Sequence, residues 1–311
     1  MMSDHSKIEW TDATWNPTTG CTRVSEGCRH CYIERTPPFR IAGRKFVNGS
    51  TGVQLHPERL DQPLHWKKPR RIFVNSLSDL FHEDVPYQFI DKVFGVMGSE
   101  EAGHHTFQVL TKRPERMLRY TERFTTGGVE FDKLFPLVWL GVSVEDQRTA
   151  DERIPLLLQT PAAIRFVSAE PLLGPVDLGK WMWIPDPHGA SADLMPSRGL
   201  DQCIVGGESG PGARPCDVSW IRSIRDQCRA AGVKCFVKQW GSYPIMGYYE
   251  AQDWCDAHGW EFGDDGEWKC VGWDERDGQP PLSAKVRVPL KDKKGGDPLE
   301  WPADLRVREL P

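Results

Sequence analysis

The chain has 311 residues, enough for one large α/β domain or two smaller ones, and its 39% hydrophobic and 27% charged residues are an ordinary globular composition. The formal net charge of -5 excludes a general attraction to nucleic acid, so such binding would need a local basic patch. No apolar run reaches about 18 residues and the N-terminus lacks a signal-peptide core, which predicts a cytoplasmic protein without membrane contact.

A short strand is predicted within residues 8–19, which are rich in aromatic and β-branched residues and end in Asn-Pro and a glycine. The strand leads into a loop that contains Cys21, Cys28 and Cys31 in the spacing Cys-x6-Cys-x2-Cys. After this loop we predict a helix that is broken at the Pro-Pro pair of residues 37–38.

The three cysteines point to a metal cofactor. Three thiolates with no fourth cysteine nearby can hold three irons of a four-iron, four-sulfur cluster and leave the fourth iron open for a ligand. Enzymes that cleave S-adenosylmethionine (SAM) reductively to make a carbon radical use this arrangement. The same thiols are also compatible with part of a zinc site, in which His30 would be the fourth ligand. The spacing alone leaves cluster and zinc open.

From residue 71 onward, apolar strands alternate with amphipathic helices. The predicted strands are 71–77, 106–111, 138–142, 164–168, 202–205 and 233–237, and the last predicted helix is 220–231. Together with the first strand this makes about seven βα units, which predicts an α/β fold with a partial or complete (β/α) barrel similar to a TIM barrel. A doubly wound open sheet is the alternative.

The domain boundaries are predicted from shifts in composition. Residues 1–240 would form the barrel, and the Pro/Gly-rich segment 175–200 would be a surface insertion. Residues 241–311 contain many Gly, Asp and Trp residues and are predicted to form a small C-terminal extension.

Polar residues follow nearly every predicted strand at its carboxyl end, where the active site of such folds lies. We call the opening formed by these strand ends the mouth. Because the cysteine loop also follows a strand, we expect all of these groups to converge there. The strand-end residues are Ser76, Asp79, Lys112, Arg113, Ser143, Glu145, Glu170, Gly206, Gly207, Glu208, Lys238, Gln239 and Trp240.

The Gly-Gly-Glu-Ser-Gly segment at 206–210 permits two interpretations. Glycines leave backbone N–H groups uncrowded, so the segment could form an anion-binding nest, and Glu208 and Arg214 flank it. It could equally be a plain tight turn. It is not a dinucleotide-binding fingerprint, because the G-x-G-x-x-G register is absent.

Two glutamates and a tryptophan are similarly open to a functional or a structural interpretation. Glu145 and Glu170 could hold a ribose hydroxyl or an amino group, or form ion pairs with Lys112 or Arg113. Trp240 could stack on a base or fill the end of the barrel.

Short motifs along almost the whole chain carry a family resemblance. They are TGC at 19–21, GCRHCY at 27–32, FVNS at 73–76, LTKRP at 110–114, GVSVE at 141–145, SAEPL at 168–172, GGESG at 206–210, KQWG at 238–241 and the tail 295–311. Together they resemble the phage-associated three-Cys-motif family, which is largely uncharacterised and is regarded as radical-SAM-like.

The resemblance implies a barrel of the radical-SAM type in which the three cysteines bind a [4Fe-4S] cluster. This chain departs from the usual pattern in three ways. The first cysteine gap has six residues instead of three, His30 replaces a commonly aromatic residue, and Gly-Gly-Glu follows the sixth strand instead of the second. At the second strand, Ser76 and Asp79 would then meet the amino group of SAM. Ser143 and Glu145 stand where relatives place ribose contacts.

The leading hypothesis is therefore a radical-SAM-type enzyme that forms a radical on a nucleic acid or a modified base, for repair or modification, with a separate electron donor. Its expected cofactor contacts also include His30, Glu170, Gly206, Gly207 and Glu208. Its expected substrate contacts are Lys112, Arg113, Arg214, Lys238, Gln239 and Trp240. The alternatives are a zinc-stabilised, non-catalytic nucleic-acid-binding protein and a barrel hydrolase that uses Glu145 and Glu170.

Overall fold

The computed structural model describes residue 6 and residues 8–182, 199–258, 270–271, 285–288 and 290–311. Residues 183–198, most of the predicted surface insertion, lie outside the described residues. No helix within the described ranges is long and apolar enough to cross a membrane.

The described chain contains thirteen strands and eight α-helices. The strands are β1 (Ala13–Trp15), β2 (Thr18–Thr19), β3 (Gln54–Leu55), β4 (Arg71–Val74), β5 (Thr106–Thr111), β6 (Val138–Val144), β7 (Ile164–Ala169), β8 (Gln202–Gly206), β9 (Cys216–Asp217), β10 (Lys234–Gln239), β11 (Pro244–Gly247), β12 (Cys270–Val271) and β13 (Lys285–Arg287). The helices are α1 (Pro37–Ile41), α2 (Tyr87–Met97), α3 (Pro114–Thr126), α4 (Phe131–Leu134), α5 (Gln147–Gln159), α6 (Gly179–Met182), α7 (Val218–Ala231) and α8 (Tyr248–His258).

Seven parallel strands form the central sheet in the order β1-β4-β5-β6-β7-β8-β10. Each strand lies beside the next one in the chain, so the crossovers all proceed in one direction and the twist accumulates. This order has no reversal point and excludes the doubly wound alternative. Strands β1 and β10 are the two edges, with no pairing between them in the described ranges. The predicted partial barrel is confirmed, in its open form.

The two faces of the sheet are buried differently. The outer face packs against α2, α3, α5 and α7 in the large apolar core. The inner face has its own cluster, formed by Trp10, Phe73, Trp139, Phe166, Ile204 and Phe236. Gly141 makes this cluster possible, because an added Cβ would lie 2.6 Å from the carbonyl oxygen and 2.7 Å from the ring of Phe166. The inner face is therefore filled with apolar side chains.

One predicted element boundary was right in part, and another was wrong. A 3-10 helix at Tyr32–Arg35 ends before the Pro-Pro pair, as predicted, but the pair then starts α1, because proline has a favourable φ and needs no N–H donor in the first helical turn. The predicted strand 71–77 ends at Val74, because Asn75 adopts a left-handed backbone conformation with φ 63°.

The C-terminal region is tied to the barrel. Strand β11 pairs in parallel with β9, inside a small sheet of order β12-β13-β11-β9. The tail then runs antiparallel to β10, with Val237 N donating to Val307 O at 2.8 Å and Glu309 N to Cys235 O at 2.8 Å. This pairing covers an otherwise exposed sheet edge, a common protection against edge-to-edge association.

Candidate functional site

Residues 20–32, which we call the Cys loop, lie across the mouth. The first residue of the loop bridges to Ser78 after β4. The middle of the loop contacts Glu145 after β6, and His30 near its end bonds to Glu208 after β8. The loop is thus held by the carboxyl ends of three alternate strands.

The start of the Cys loop is fixed by a second layer of chain. Gly20 has φ 96°, and a Cβ at this position would overlap the carbonyl oxygen of Gly52. Cys21 N donates to Thr51 Oγ1 at 2.9 Å, and Thr51 N donates to Cys21 O at 3.0 Å. Only glycine allows both this turn and this close backbone approach.

The buried Asp79 carboxylate joins the loop after β4 to the end of β5. Asp79 Oδ1 accepts from Thr111 Oγ1 at 2.7 Å, and Oδ2 accepts from Lys112 N and from Arg113 Nη1, both at 3.1 Å. Both oxygens are therefore occupied by the protein. The predicted contact of Asp79 with the amino group of SAM would have to replace one of these bonds.

Arg113 links Asp79 to the first cysteine. Its side chain is buried and donates to Thr22 O at 3.2 Å, and Nη1 lies 3.8 Å from Cys21 Sγ. A second carboxylate, that of Glu83, accepts from Arg113 Nε at 3.0 Å. Burial lowers the pKa of Arg113, but Asp79 and the other anions nearby outweigh it and raise the pKa above its ordinary value. Arg113 is thus a buried contact of the Cys loop instead of an exposed substrate contact.

Glu145 anchors the middle of the loop. Its buried carboxylate accepts hydrogen bonds from Lys112 Nζ, from Ser25 Oγ at 2.9 Å and from Arg153 Nη1 at 3.1 Å. A Cβ on Gly27 would overlap this carboxylate, so the loop backbone lies directly on it. Burial raises the pKa of Glu145, but the Lys112 and Arg153 charges outweigh it and hold the pKa below its usual value.

The sequence interpretation missed Arg153. This arginine lies on the buried face of α5 together with Ala150, Ile154 and Leu157. It also donates to the carbonyl oxygen of Ser143 at 2.7 Å. A cation on an otherwise apolar helix face, soon after a strand-end glutamate, was the available signal, since such a cation needs a buried anion.

Glu208 anchors the end of the loop. Its buried carboxylate accepts from His30 Nδ1 at 3.1 Å and from Arg214 Nε at 2.9 Å and Nη2 at 2.6 Å. Burial raises the pKa of Glu208, but hydrogen bonds from Arg214 and His30 reverse the effect and lower the pKa to about 2. Three strand-end carboxylates, each paired with cations, therefore hold the Cys loop near its three cysteines.

The geometry predicts a pH dependence. The ionised Glu208 stabilises the fold above about pH 4.5, and this contribution of about 3 kcal/mol is lost as the pH falls towards about 2. Glu208→Gln should therefore lower the free energy of unfolding by about this amount at neutral pH, with the difference shrinking in acid. Urea denaturation across this pH range measures it, and Glu122→Gln on the exposed side of α3 is the matched control. A difference that does not change with pH would contradict this role.

The Gly-Gly segment before Glu208 favours the tight-turn interpretation. Gly207 N donates to Gln239 O at 3.1 Å, and a Cβ on Gly207 would overlap the carbonyl oxygen of Trp240. A Cβ on Gly206 would lie 3.1 Å from Gln239 O. These glycines allow two backbone segments to pack closely, and this N–H of the segment is already bonded.

Four further predicted residues lie at or directly after the carboxyl ends of β7 and β10. Glu170 Oε1 accepts from Lys238 Nζ at 2.7 Å and from Gln239 Nε2 at 3.0 Å, in a partly exposed cluster at the ends of β7 and β10. The Trp240 indole is fully buried and stacks on Trp301, with ring centroids 6.4 Å apart, so protein covers it instead of leaving it open to a base.

The predicted serines lie on either side of the mouth. Ser143 is buried in β6 and pairs in register with Ser168. Ser76 donates to Asn16 Oδ1 at 3.2 Å, and its carbonyl oxygen accepts from the hydroxyl of Tyr32 in the Cys loop. Ser76 thus helps to hold the loop in place.

The three thiols are free and lie close enough to interact. Burial, together with the nearby Asp79, Cys28 and Cys31, raises the pKa of Cys21 to about 12, although Arg113 opposes this effect. Burial likewise raises the pKa of Cys31, against the opposing charge of Lys112. The Cys21 and Cys31 thiols are therefore protonated near neutral pH, so metal binding would have to release their protons.

The residues that could bind a metal at the mouth are the three thiols of the Cys loop. Among the described residues, no three His, Cys, Asp or Glu side chains are close enough together to hold one metal ion. The three thiols therefore do not form the closed four-ligand tetrahedron of a structural zinc site, and His30 bonds to Glu208. Two cations lie near these thiols: Arg113 Nη1 is 3.8 Å from Cys21 Sγ, and the charge of Lys112 acts on Cys31.

Solved structures of spore photoproduct lyase are similar to this chain at low identity. A cysteine-to-serine mutant matches with a TM-score of 0.41 and 11% identity, over 92% of this chain and 71% of that chain. The lyase complexed with a dinucleoside spore photoproduct matches with a TM-score of 0.40 and 10% identity, over 93% of this chain and 72% of that chain. No curated protein matches. A family model described as a protein of unknown function matches residues 5–279, and the chain therefore belongs to the DUF5131 family.

Proposed function

We propose that this protein is a radical-SAM-type enzyme in which Cys21, Cys28 and Cys31 hold a [4Fe-4S] cluster. SAM is the second cofactor, the substrate is a nucleic acid or a modified base, and a separate protein donates the electron. A cytoplasmic setting goes with this proposal, since free, partly exposed thiols persist in a reducing compartment. The phage association of the resembled family stays a prediction.

One observation carries the proposal: three thiols lie together on a loop that is held across the mouth of a parallel partial barrel. Each end and the middle of the loop are fixed by a different strand-end carboxylate. When bound, such a cluster supplies an open iron for SAM and the electron for its reductive cleavage. Binding a large cofactor without collapse of the loop requires this kind of multi-point support.

The residues of the chain would contribute in two further ways. The apolar cluster around Phe166 fills the inner face of the sheet, so it excludes water from that face. The partly exposed group of Lys238, Gln239 and Glu170 supplies donors and an acceptor at the far side of the mouth. We assign that group to SAM or substrate, because the other predicted cations already pair with buried carboxylates.

The test is anaerobic reconstitution with iron and sulfide. The purified chain should turn brown and bind about four irons, and addition of dithionite and SAM should release 5′-deoxyadenosine. Cys28→Ala should abolish both results, whereas the control Cys216→Ala, at a buried cysteine outside the loop, should retain iron. A colourless protein that binds one zinc ion would overturn the proposal.

A further inference from the structure

The Cys loop and the residues that follow it, up to residue 50, form a positively charged segment. Residues 20–50 contain six Lys or Arg residues and two Glu residues, a net charge of +4 in a chain of net charge -5. The rest of the chain therefore has a net charge of -9. Five of these cations are exposed, namely Arg23, Arg29, Arg35, Arg40 and Lys45, and we call their surface the cationic band.

Contacts within residues 20–50 tie this segment together. The guanidinium of Arg23 lies 4.1 Å from the centroid of the Phe46 ring, and Phe46 N donates to Glu34 at 3.2 Å. The guanidinium of the neighbouring Arg44 lies 4.6 Å from the ring centroid of Phe39, the buried residue of α1. The band is therefore fixed to the folded Cys loop and its supporting segment.

The segment combines cations that have no ion-pair partner in the described part of the chain with exposed apolar side chains. Among the described residues, the side chains of Arg40 and Lys45 have no ion-pair partner. The same segment exposes the apolar side chains of Ile41 at 79% and Val47 at 68%, and also the Tyr32 ring at 51%, whose hydroxyl donates to Ser76 O. Exposed apolar surface beside cations is a feature of interaction sites.

We propose that the cationic band is a docking surface for single-stranded nucleic acid. Unpaired cations neutralise backbone phosphates, and exposed rings and apolar side chains contact the faces of unstacked bases. A duplex hides its base faces, so it would leave the apolar groups unused. The inference rests on the proposed function, since it names the place where a nucleic-acid substrate approaches the mouth.

The test uses the full chain and a short fluorescein-labelled oligothymidylate, with binding measured by fluorescence anisotropy over a range of salt concentrations. The double variant Arg40→Gln, Lys45→Gln should bind more weakly. Its slope of log affinity against log salt should be shallower by about 1.4, or about 0.7 for each lost charge. The control Lys92→Gln, Arg119→Gln removes one Lys and one Arg from exposed positions on α2 and α3 and should match the wild type.

The outcomes separate this inference from the proposed function. Equal salt slopes for the wild type and the Arg40/Lys45 variant, or no binding by the wild type, overturn the docking surface. Retained oligonucleotide binding together with slower reduction by an acidic electron-carrier protein would assign the band to the electron donor and also overturn it. SAM cleavage by the wild type without nucleic acid tests the radical chemistry separately. Selective loss of binding in the variant supports the docking surface even if the chain proves to bind no iron.

Discussion

Glu145→Gln is expected to lower the free energy of unfolding by about 3–5 kcal/mol, the usual cost of removing one partner from a buried ion pair. The carboxylate of Glu145 is the anion shared by Lys112 and Arg153, whose side chains are largely buried. Glutamine preserves the shape and removes the charge, so both cations remain without compensation. Urea denaturation at neutral pH measures the change.

The matched control is Glu152→Gln on α5, the helix that carries Arg153. Glu152 forms an exposed ion pair with Arg148 at 2.7 Å, and removal of such a pair changes stability by less than about 1 kcal/mol. Similar small losses in both variants would show that the buried cations around position 145 find other partners. Because Glu145 also accepts from Ser25, the Glu145 variant should in addition bind iron less tightly after reconstitution.

Arg113→Met is expected to lower the free energy of unfolding by a similar amount, about 3–5 kcal/mol, because it removes the cation of a buried ion pair instead of the anion. Methionine retains much of the apolar stem, but it leaves the buried Asp79 carboxylate without its cation and frees Thr22 O. The variant also loses the contact of Nη1 with Cys21 Sγ. Urea denaturation gives the stability change, and the rate at which a disulfide reagent modifies the free thiols should increase as the loop loosens.

The control for this variant is Arg148→Met, which breaks the same exposed pair with Glu152 from its cationic side. We expect this control to lower the free energy of unfolding by less than about 1 kcal/mol and to leave the reactivity of the thiols unchanged. A destabilised Arg113 variant with unchanged thiol reactivity would show that Arg113 supports the barrel without holding the Cys loop.

The architecture was largely predictable from the sequence. Strand β5 occupies the predicted residues 106–111, and β6, β7 and β8 extend the predicted strands by one or two residues. These strands are buried on both faces, so their sequences are nearly continuous apolar runs that end at polar residues. Parallel pairing in chain order then follows from the alternation of strand and helix.

The roles of the strand-end residues were less predictable. Asp79, Glu145 and Glu208 were expected to contact a cofactor, but in the structure they bond to cations and to the Cys loop. Some of their partners are close in sequence, since Arg153 follows Glu145 by 8 positions, but others are distant. His30 reaches Glu208 across 178 positions, and Arg113 reaches Asp79 across 34.

The sequence by itself determined the strands, their parallel order and the position of three thiols at the mouth, because apolar periodicity and cysteine spacing are local properties. Only the tertiary structure decided that the barrel stays open, that Trp240 is buried, and that three carboxylates hold the Cys loop. The reason is physical: a buried charge takes whichever opposite charge the fold places beside it, and that choice depends on contacts between residues far apart in the chain.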